Sequence, residues 1–437
     1  MMRLFKDLIG CDTVRRFILT IVTLPFLSIG VFPTSSAALT GRAVWAHPWE
    51  AGKSTAEVLR FVKRLEDSQV NTLIMMFKGV DGRIYFPSER YADAVVSGYK
   101  TFDFPRALIE ACHERGIEVH AWFCDFAEGA TAPAVRTHPE WIMRNPERQG
   151  TNSEILRGKP YGITWMCPAR RPGYTDQWLI PMIVEFARRY DVDAIHHDYV
   201  RFPGDVAPDR YCFCDHCLEE IPRYAGYYWR SYPEREFEIP RDRPHLEAHW
   251  EKSPRVLPGN WQEMTREEKS HFLLGGSFFS GGREDLDYYF YQYRRHWINR
   301  FVEEVFQEVR KVKPEMRFSA AVFRNPIQAG RFLGQDWRDF APWVQTLIPM
   351  DYRSHFPGTV QEHRVMLQES IEQQKQWARD FEQFWVGLSC GQLSEKEFIP
   401  TLETVKKTGV EGISIFSAGS LSRTKQWNVL GKFFSDH

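Results

Sequence analysis

Short apolar stretches alternate with longer amphipathic stretches along most of the chain after residue 40. Apolar stretches such as residues 72–77 and 317–323 contain β-branched and aromatic residues, a pattern that predicts buried strands. The intervening stretches place apolar residues three or four positions apart, as in residues 54–68, and this spacing predicts amphipathic helices. Strands that alternate with helices form parallel sheets, so the pattern predicts an α/β fold.

Eight strands are expected in total. They cover residues 42–46, 72–77, 118–123, a segment that ends at Asp198, and residues 317–323, 346–350, 384–389 and 412–417. Eight strands with helices between them fit one (β/α)8 TIM-type barrel over residues 39–437. A stretch rich in Pro, Arg, Tyr and charge, about residues 204–283, is predicted to be a large irregular insertion after strand four.

A doubly wound open sheet is the alternative fold. Such sheets bind nucleotides through glycine-rich loops that follow a strand. Neither of the two common glycine-rich patterns follows any of the expected strands. Their absence from the sequence weakens the interpretation as a nucleotide-binding protein.

The first 38 residues have the composition of a signal peptide. Arg3, Lys6, Arg15 and Arg16 precede an apolar run over residues 17–32, and small residues follow at 35–38. This order is typical of export signals. We therefore predict a mature protein in the periplasm or outside the cell, with an uncleaved N-terminal anchor as the alternative and no other membrane contact.

Charge and composition change this picture little. The chain has 56 basic and 57 acidic residues, a net charge of −1. This balance gives no electrostatic reason to expect nucleic acid as a partner. The 15 Trp, 17 Tyr and 32 Phe residues fill cores in most proteins, but aromatic faces also bind sugar rings.

The ends of the predicted strands supply the candidate chemistry. Catalytic residues of β/α barrels lie at the carboxyl-terminal ends of the strands, where strand four ends at Asp198 and Asp351 follows strand six. Glycoside hydrolysis uses two carboxylates, one to attack or stabilise the sugar centre and one to protonate the leaving oxygen. Arg201 is expected to keep Asp198 ionised, whereas a poorly solvated Asp351 would keep its proton.

Polar and aromatic residues near these ends complete the predicted site. Because side chains alternate along a strand, at most one of His196 and His197 faces the barrel interior. His120 and Trp45 could equally belong to the core. The residues assigned to substrate binding are Arg42, Trp45, His120, Trp122, Asp125, His197, Arg201 and Tyr352.

A cysteine-rich segment suggests a metal site that is separate from catalysis. Cys212, Cys214 and Cys217 form a Cys-x-Cys-x-x-Cys run, which suits thiolate coordination of a structural zinc ion. Cys167 is the predicted fourth ligand, with His216 as the alternative. A disulfide with a spare thiol is the competing interpretation, since exported proteins meet an oxidising environment.

Seven segments of the chain carry motifs that resemble those of a known protein family. They read Arg42-Ala-Val-Trp45, Tyr85-Phe-Pro-Ser88, Ala111-Cys-His-Glu-Arg-Gly-Ile-Glu-Val-His-Ala-Trp-Phe123, His138-Pro-Glu-Trp141, Asp191-Val-Asp-Ala-Ile-His-His-Asp-Tyr-Val-Arg-Phe-Pro203, Gly334-Gln-Asp-Trp337 and Pro349-Met-Asp-Tyr352. Together they resemble glycosyl hydrolase-like family 10 of bacterial exported proteins. The resemblance implies a TIM-type barrel and a glycosidase, with Asp198 as nucleophile or stabilising acid and Asp351 as proton donor.

The sequence therefore predicts an exported glycoside hydrolase that acts on a polysaccharide or oligosaccharide. A non-catalytic barrel that binds glycans is the alternative function. No cofactor is expected for catalysis, because strand one offers a single histidine, His47, and no strand supplies a convincing set of metal ligands.

Overall fold

The computed structural model describes residues 39–231, 257–274 and 284–436. The predicted signal segment, residues 1–38, lies outside the described residues. In the described part, eight parallel strands form a closed barrel in which each strand pairs with its neighbour in the sequence and the last pairs with the first. This confirms the predicted (β/α)8 fold over the open-sheet alternative.

All eight predicted strands are present, with ends that differ from the prediction by one residue or less where both ends were predicted. The barrel strands are β1 (Gly41–Ala46), β2 (Thr72–Lys78), β3 (Glu118–Cys124), β4 (Ala194–Asp198), β5 (Arg317–Phe323), β6 (Thr346–Met350), β7 (Gln383–Ser389) and β8 (Gly412–Phe416). Two short antiparallel pairs lie between β3 and β4: Ala127–Gly129 with Ile163–Trp165, and Ile155–Leu156 with Lys159–Pro160.

Helices follow the strands and cover the outside of the barrel. The longer ones are α1 (Thr55–Asp67), α2 (Phe104–His113), α3 (Ile180–Arg189), α4 (Asp215–Ser231), α5 (Arg266–Leu273), α6 (Glu284–Arg310), α7 (Val360–Ala378), α8 (Glu395–Lys407), α9 (Ala418–Thr424) and α10 (Trp427–Ser435). One-turn helices span Pro48–Ala51, Pro133–Thr137, Pro326–Gln328 and Trp337–Phe340, and a π-helical turn, Thr175–Leu179, precedes α3. No helix in the described ranges is long and apolar enough to span a membrane.

Local sequence explains where several helices begin. The hydroxyl of Thr359 accepts a hydrogen bond from the backbone N–H of Glu362, whose carboxylate accepts the N–H of Thr359 in return. This reciprocal arrangement is the capping box, which satisfies backbone donors that have no partner within the helix. The same pattern starts α5 and α8.

The insertion after β4 is more regular than the sequence predicts. Two helices, α4 and α5, lie in its described part. Pro222 within α4 hides the helical pattern, because proline in a helix interior is strongly disfavoured by propensity. Packing of α4 against α6, where the rings of Tyr224 and Tyr293 meet at 5.6 Å, overrides this local preference.

Two tryptophans pack against three glycines in the barrel interior. The indole of Trp385 on β7 lies against Gly41 and Gly412, and the indole of Trp45 on β1 lies against Gly387. A side chain at any of these glycines would occupy the space of an indole ring. Large and small residues thus alternate between strands, as close packing of a barrel core requires.

Gly412→Ala is therefore expected to lower the free energy of unfolding by about 1–3 kcal/mol. A Cβ atom at this position would lie 2.5 Å from Cδ1 of Trp385, so the indole would have to move within a close-packed interior. Urea denaturation measures the loss. Gly162→Ala is the control, since a Cβ there meets nothing within 4 Å. Equal midpoints for the two variants would contradict the tight packing of Trp385.

Candidate active site

The alternation of side chains along β4 decides which of its polar residues can meet a ligand. His196 contacts residues of the barrel interior, and its ring lies 6.0 Å from that of Trp45. Asp198 shares this face because it is two residues further along the strand. His197 points the other way, where its ring lies 5.6 Å from that of Phe301 on α6.

Asp198 lies at the carboxyl-terminal mouth of the barrel. Its Oδ1 accepts the backbone N–H of Tyr199 at 2.7 Å and a guanidinium N–H of Arg201 at 3.3 Å. The residue is 7% exposed, and burial raises the pKa of its carboxyl, an effect that the positive charge of Arg201 opposes. Arg201 thus lowers the pKa of Asp198, as predicted, but burial raises this pKa by more.

Aromatic rings enclose Arg201 on the loop after β4. Its guanidinium carbon lies 4.4 Å from the ring centre of Tyr199, 4.9 Å from that of Phe323 and 5.7 Å from that of Trp165. Cation–π contacts of this kind stabilise a buried cation and restrict its motion. Arg201 is therefore held in a position from which it orients the Asp198 carboxylate.

A strip of aromatic residues continues from this acid to the surface. The ring of Tyr352 stacks on Phe416 at 5.7 Å, and Trp122 meets the same ring at 6.4 Å. His47 lies 5.4 Å from Trp122 and stacks at 4.6 Å on Trp49, which is 57% exposed. We call these five residues the aromatic strip; Trp122 and Tyr352 are predicted substrate contacts.

Trp45 and His120, by contrast, belong to the barrel core below the mouth. The indole N–H of Trp45 donates to Nε2 of His196 at 3.2 Å, so Nδ1–H of His196 donates to Ser319 Oγ at 2.8 Å. The hydroxyl of Ser319 can then donate to Nδ1 of His120 at 3.0 Å. Burial lowers the pKa of His196 far below its usual value, consistent with this neutral chain. Both predicted substrate contacts are buried core residues.

Asp125 and His197 form a buried pair outside the barrel wall. Nδ1 of His197 lies 2.8 Å from Oδ2 of Asp125, and neither side chain is accessible to solvent. Both had been assigned to substrate binding from their strand-end positions. The structure does not bring them to the mouth: His197 occupies an outward position of β4, and Asp125, one residue beyond β3, pairs with it there.

Arg42 lies at the opposite end of the barrel from Asp198. It occupies the amino-terminal end of β1, where its guanidinium donates to the backbone carbonyls of Gln69 at 2.7 Å and Leu39 at 3.4 Å. These bonds connect the beginning of β1 with the turn after α1. The assignment of Arg42 to substrate binding is therefore not supported by its place in the fold.

Asp351 also points away from the mouth, toward α7. Its Oδ1 accepts hydrogen bonds from the amide of Gln374 at 3.0 Å and the hydroxyl of Ser370 at 3.4 Å. The residue is 0% exposed, and burial raises the pKa of its carboxyl to about 7. The protonated acid of the prediction fits this environment, but the predicted pairing with Asp198 across a bound sugar does not fit the geometry.

Asp351→Asn is expected to change how stability depends on pH. The pKa of Asp351 rises from an ordinary 3.8 to about 7 in the fold, so the folded state binds the extra proton. The protonated Asp351 contributes about 4 kcal/mol to the free energy of unfolding. This contribution is fully present below pH 4 and is lost as the pH rises to 7. Asparagine cannot ionise, so its stability relative to wild type should increase over this range. Urea titrations at pH 4.5 and 7.5 test this, and a constant difference would contradict the buried acid.

The sequence analysis did not predict a buried lysine at the carboxyl-terminal end of β2. Lys78 ends β2, and its ammonium donates to the carbonyls of Cys124 at 2.6 Å and Ala127 at 2.9 Å and lies 3.1 Å from Oε1 of Glu128. The hydroxyl of Tyr174 donates to the same carboxylate at 2.5 Å. These bonds fix the chain after β3. A lysine that directly follows a run of apolar strand residues was the available signal.

Asp205 is a second residue of the mouth region that the sequence did not single out. Its Oδ2 accepts the hydroxyl of Tyr161 at 3.1 Å, and that hydroxyl accepts the indole N–H of Trp165 at 3.1 Å. Trp165 also contacts Arg201. This chain connects the segment between β3 and β4 with the loop that carries Arg201.

The four cysteines predicted as metal ligands come together in one cluster. The sulfur atoms of Cys167, Cys212, Cys214 and Cys217 lie within 4.8 Å of one another, and all four residues are buried. His216, the alternative ligand, is not part of this group. We call these residues the four-cysteine cluster.

Comparison with known proteins gives the relationships of the chain. A family model described as glycosyl hydrolase-like 10 matches residues 42–212. Glycosyl hydrolase YngK of Bacillus subtilis is 23% identical over 220 residues, which cover 45% of this chain and 40% of that protein. The match thus spans less than half the length of this relative. The resemblance predicted from the motifs is confirmed over the matched region.

Two solved structures similar to the chain are domains of carbohydrate-cleaving enzymes. The glycoside hydrolase domain of PgaB (BpsB) from Bordetella bronchiseptica has a TM-score of 0.62 and 11% identity, covering 90% of this chain and 98% of that one. The catalytic domain of β-amylase from Paenibacillus polymyxa has a TM-score of 0.54 and 12% identity, covering 88% and 94%. At these identities the likeness shows the fold.

Proposed function

We propose that this protein is an exported glycoside hydrolase that acts on a polysaccharide or oligosaccharide at the carboxyl-terminal mouth of its barrel. The observation that carries the proposal is the inward-facing Asp198 at the end of β4, held by Arg201 beside aromatic rings. An acid at this edge of a β/α barrel is in the position from which such enzymes act. The printed names of glycosyl hydrolase YngK and of the PgaB glycoside hydrolase domain point to the same reaction.

In the proposed reaction, the bond between the anomeric carbon and the leaving oxygen breaks and water supplies the replacement oxygen and the proton. Positive charge develops on the sugar ring as this bond breaks. The carboxylate of Asp198 stabilises that charge or attacks the anomeric carbon. The hydrogen bonds from Tyr199 N–H and Arg201 favour the ionised form and fix the carboxylate, so that it does not have to reorganise during the reaction.

The aromatic strip supplies the proposed binding surface. Sugar rings present apolar C–H faces, which pack on aromatic rings, and hydroxyl edges, which need polar partners. The strip runs from Tyr352 and Phe416 at the mouth to the exposed Trp49. A surface longer than one ring favours a chain of several sugars as substrate.

A glycan-binding protein without catalysis is the second candidate function. The position of Asp351 favours this function, because the acid that the sequence predicts as proton donor lies against α7 rather than in the mouth. Such a protein would keep the aromatic strip and bind sugar chains without cleaving them.

Incubation of the purified protein with a broad panel of bacterial, plant and algal polysaccharides separates the two functions. The hydrolase proposal predicts the release of new reducing ends from at least one polymer, at a rate proportional to protein concentration. Trp49→Ala should raise KM for a polymer more than for a short oligosaccharide of the same sugar. Saturable binding without any product over long incubation would support the glycan-binding function instead.

Export is proposed from residues 1–38 alone. Expression of the full chain in a bacterial host, followed by fractionation and determination of the N-terminal residue, tests it. A mature start near residue 39 in the periplasm or medium is expected. Full-length protein retained in the cytoplasm would contradict export.

A further inference from the structure

The four-cysteine cluster has the dimensions of a metal site. The sulfur of Cys167 lies 3.7 Å from that of Cys217 and 3.8 Å from that of Cys214. Zinc binds thiolates at about 2.3 Å, so a tetrahedron of four sulfurs around it has edges of about 3.8 Å. A disulfide would require about 2.05 Å between two sulfurs. The observed separations therefore match shared coordination rather than a disulfide with a spare thiol.

We propose that Cys167, Cys212, Cys214 and Cys217 bind one structural zinc ion. Thiolate ligands select soft or borderline metals, and four of them fill a tetrahedral shell. All four residues are buried, so water has little access to the ion. A closed shell leaves no position for a substrate, and the site is therefore structural, distinct from the mouth at Asp198.

Nearby charge is compatible with a metal–thiolate centre. Four thiolates exceed the charge of one divalent ion, so the centre carries excess negative charge. The buried guanidinium of Arg294 on α6 is close enough to interact electrostatically with Cys212 and Cys217. It also lies against the rings of Phe202, Phe290 and Tyr291 and donates to the carbonyls of Pro208 and Phe332, so it brings a positive charge to this region.

The ion would join two long segments that connect barrel strands to helices, residues 125–179 between β3 and α3 and the described part of residues 199–274 after β4. Cys167 belongs to the first segment and the other three ligands to the second. Hydrogen bonds already connect the two: Tyr211 Oη donates to Glu154 Oε1 at 2.6 Å, and Phe213 N–H donates to the carbonyl of Arg144 at 2.7 Å. The ion would lie at the centre of this interface.

This position has a consequence for the wall of the mouth. Trp165, two residues before Cys167, lies over the guanidinium of Arg201, and Tyr161 on the same segment bonds Asp205 on the other. The ion would hold these two segments in register. Zinc binding does not depend on the proposed hydrolase function, because its measurement requires no substrate.

The test uses the full chain, exported by its host and purified without chelator. Elemental analysis should find one zinc ion per chain. Cobalt(II) exchanged into the site should give thiolate-to-metal charge-transfer absorption and the visible bands of a tetrahedral ion. Reaction of the denatured, unreduced protein with a thiol reagent and chelator should find all four cysteines as free thiols.

Cys217→Ser tests the ligand set, and Cys112→Ser, a buried cysteine on α2 outside the cluster, is its matched control. We expect the first variant to lose the zinc and the second to retain it. If Cys217→Ser does not fold, the cobalt spectrum and the thiol content of the wild type decide whether the four cysteines bind a metal ion. Metal-free protein with a disulfide among these cysteines would overturn the proposal, as would a wild-type zinc content in Cys217→Ser.

Discussion

Asp198→Asn is expected to lower kcat/KM for a cleaved glycan by roughly 10³- to 10⁴-fold while leaving the fold intact. The amide keeps the size of the side chain and can still accept a hydrogen bond from Tyr199 N–H. It carries no negative charge, however, and can neither stabilise the developing positive charge on the sugar nor attack it. Arg201 would lose its charged partner at 3.3 Å.

The matched control for this variant is Asp351→Asn. It makes the same chemical change at an acid that directly follows β6 and accepts a hydrogen bond from Gln374 of α7. Initial rates for both variants, with urea midpoints to verify folding, complete the measurement. We expect Asp351→Asn to retain most of its activity. The reverse order, with Asp351→Asn inactive and Asp198→Asn active, would refute the assignment of the reacting carboxylate to Asp198.

Lys78→Met is expected to reduce the free energy of unfolding by about 3–5 kcal/mol. Lys78 is 0% exposed and satisfies two backbone carbonyls and the buried carboxylate of Glu128. Methionine fills a similar volume but leaves this carboxylate without its cation in a region closed to water. The carbonyls of Cys124 and Ala127 also lose their donor, so the chain after β3 would rearrange.

Chemical denaturation measures this loss, and Lys63→Met is the control. Lys63 on α1 also pairs with acids, Glu66 and Asp67, but its side chain is 58% exposed. Its removal should cost no more than about 1 kcal/mol. The double variant Lys78→Met/Glu128→Gln should recover part of the stability, because it removes the unpaired charge. A Lys78→Met protein as stable as Lys63→Met would show that the buried pair contributes nothing.

The stability of the chain after β3 also matters for the proposed reaction. The backbone N–H of Asp125 donates to the carbonyl of Asp198 at 2.8 Å, so the segment anchored by Lys78 contacts the backbone of the acid. A folded Lys78→Met protein is therefore expected to lose activity as well as stability. Lys63, at the outer surface of α1, has no such connection.

The order of elements could be predicted from the sequence because it depends on local pattern. Buried parallel strands produce continuous apolar runs, and the helices between them keep their apolar residues on one face. These signals located β5 and β6 to the residue. The members of the four-cysteine cluster could also be predicted, because three of the four lie within six consecutive residues.

The face on which a side chain lies was predicted less well. Asp351, Asp125 and His197 are at or next to strand ends, as a catalytic residue should be, yet all three point outward. A shift of one residue moves a side chain to the other face of a strand. In a strand buried on both faces, the apolar pattern does not show which face is turned inward, so it could not separate Asp198 from these residues.

The sequence by itself determined the barrel, the order of its strands and the identity of the acid that ends β4, because each depends on patterns within short segments. Only the tertiary structure decided that Asp198 faces the mouth while Asp351 faces α7, that Trp45 and His120 are core residues, and that Lys78 is buried against Glu128. These features depend on contacts between residues far apart in the chain. Burial and orientation are set when the barrel closes, and no local pattern records them.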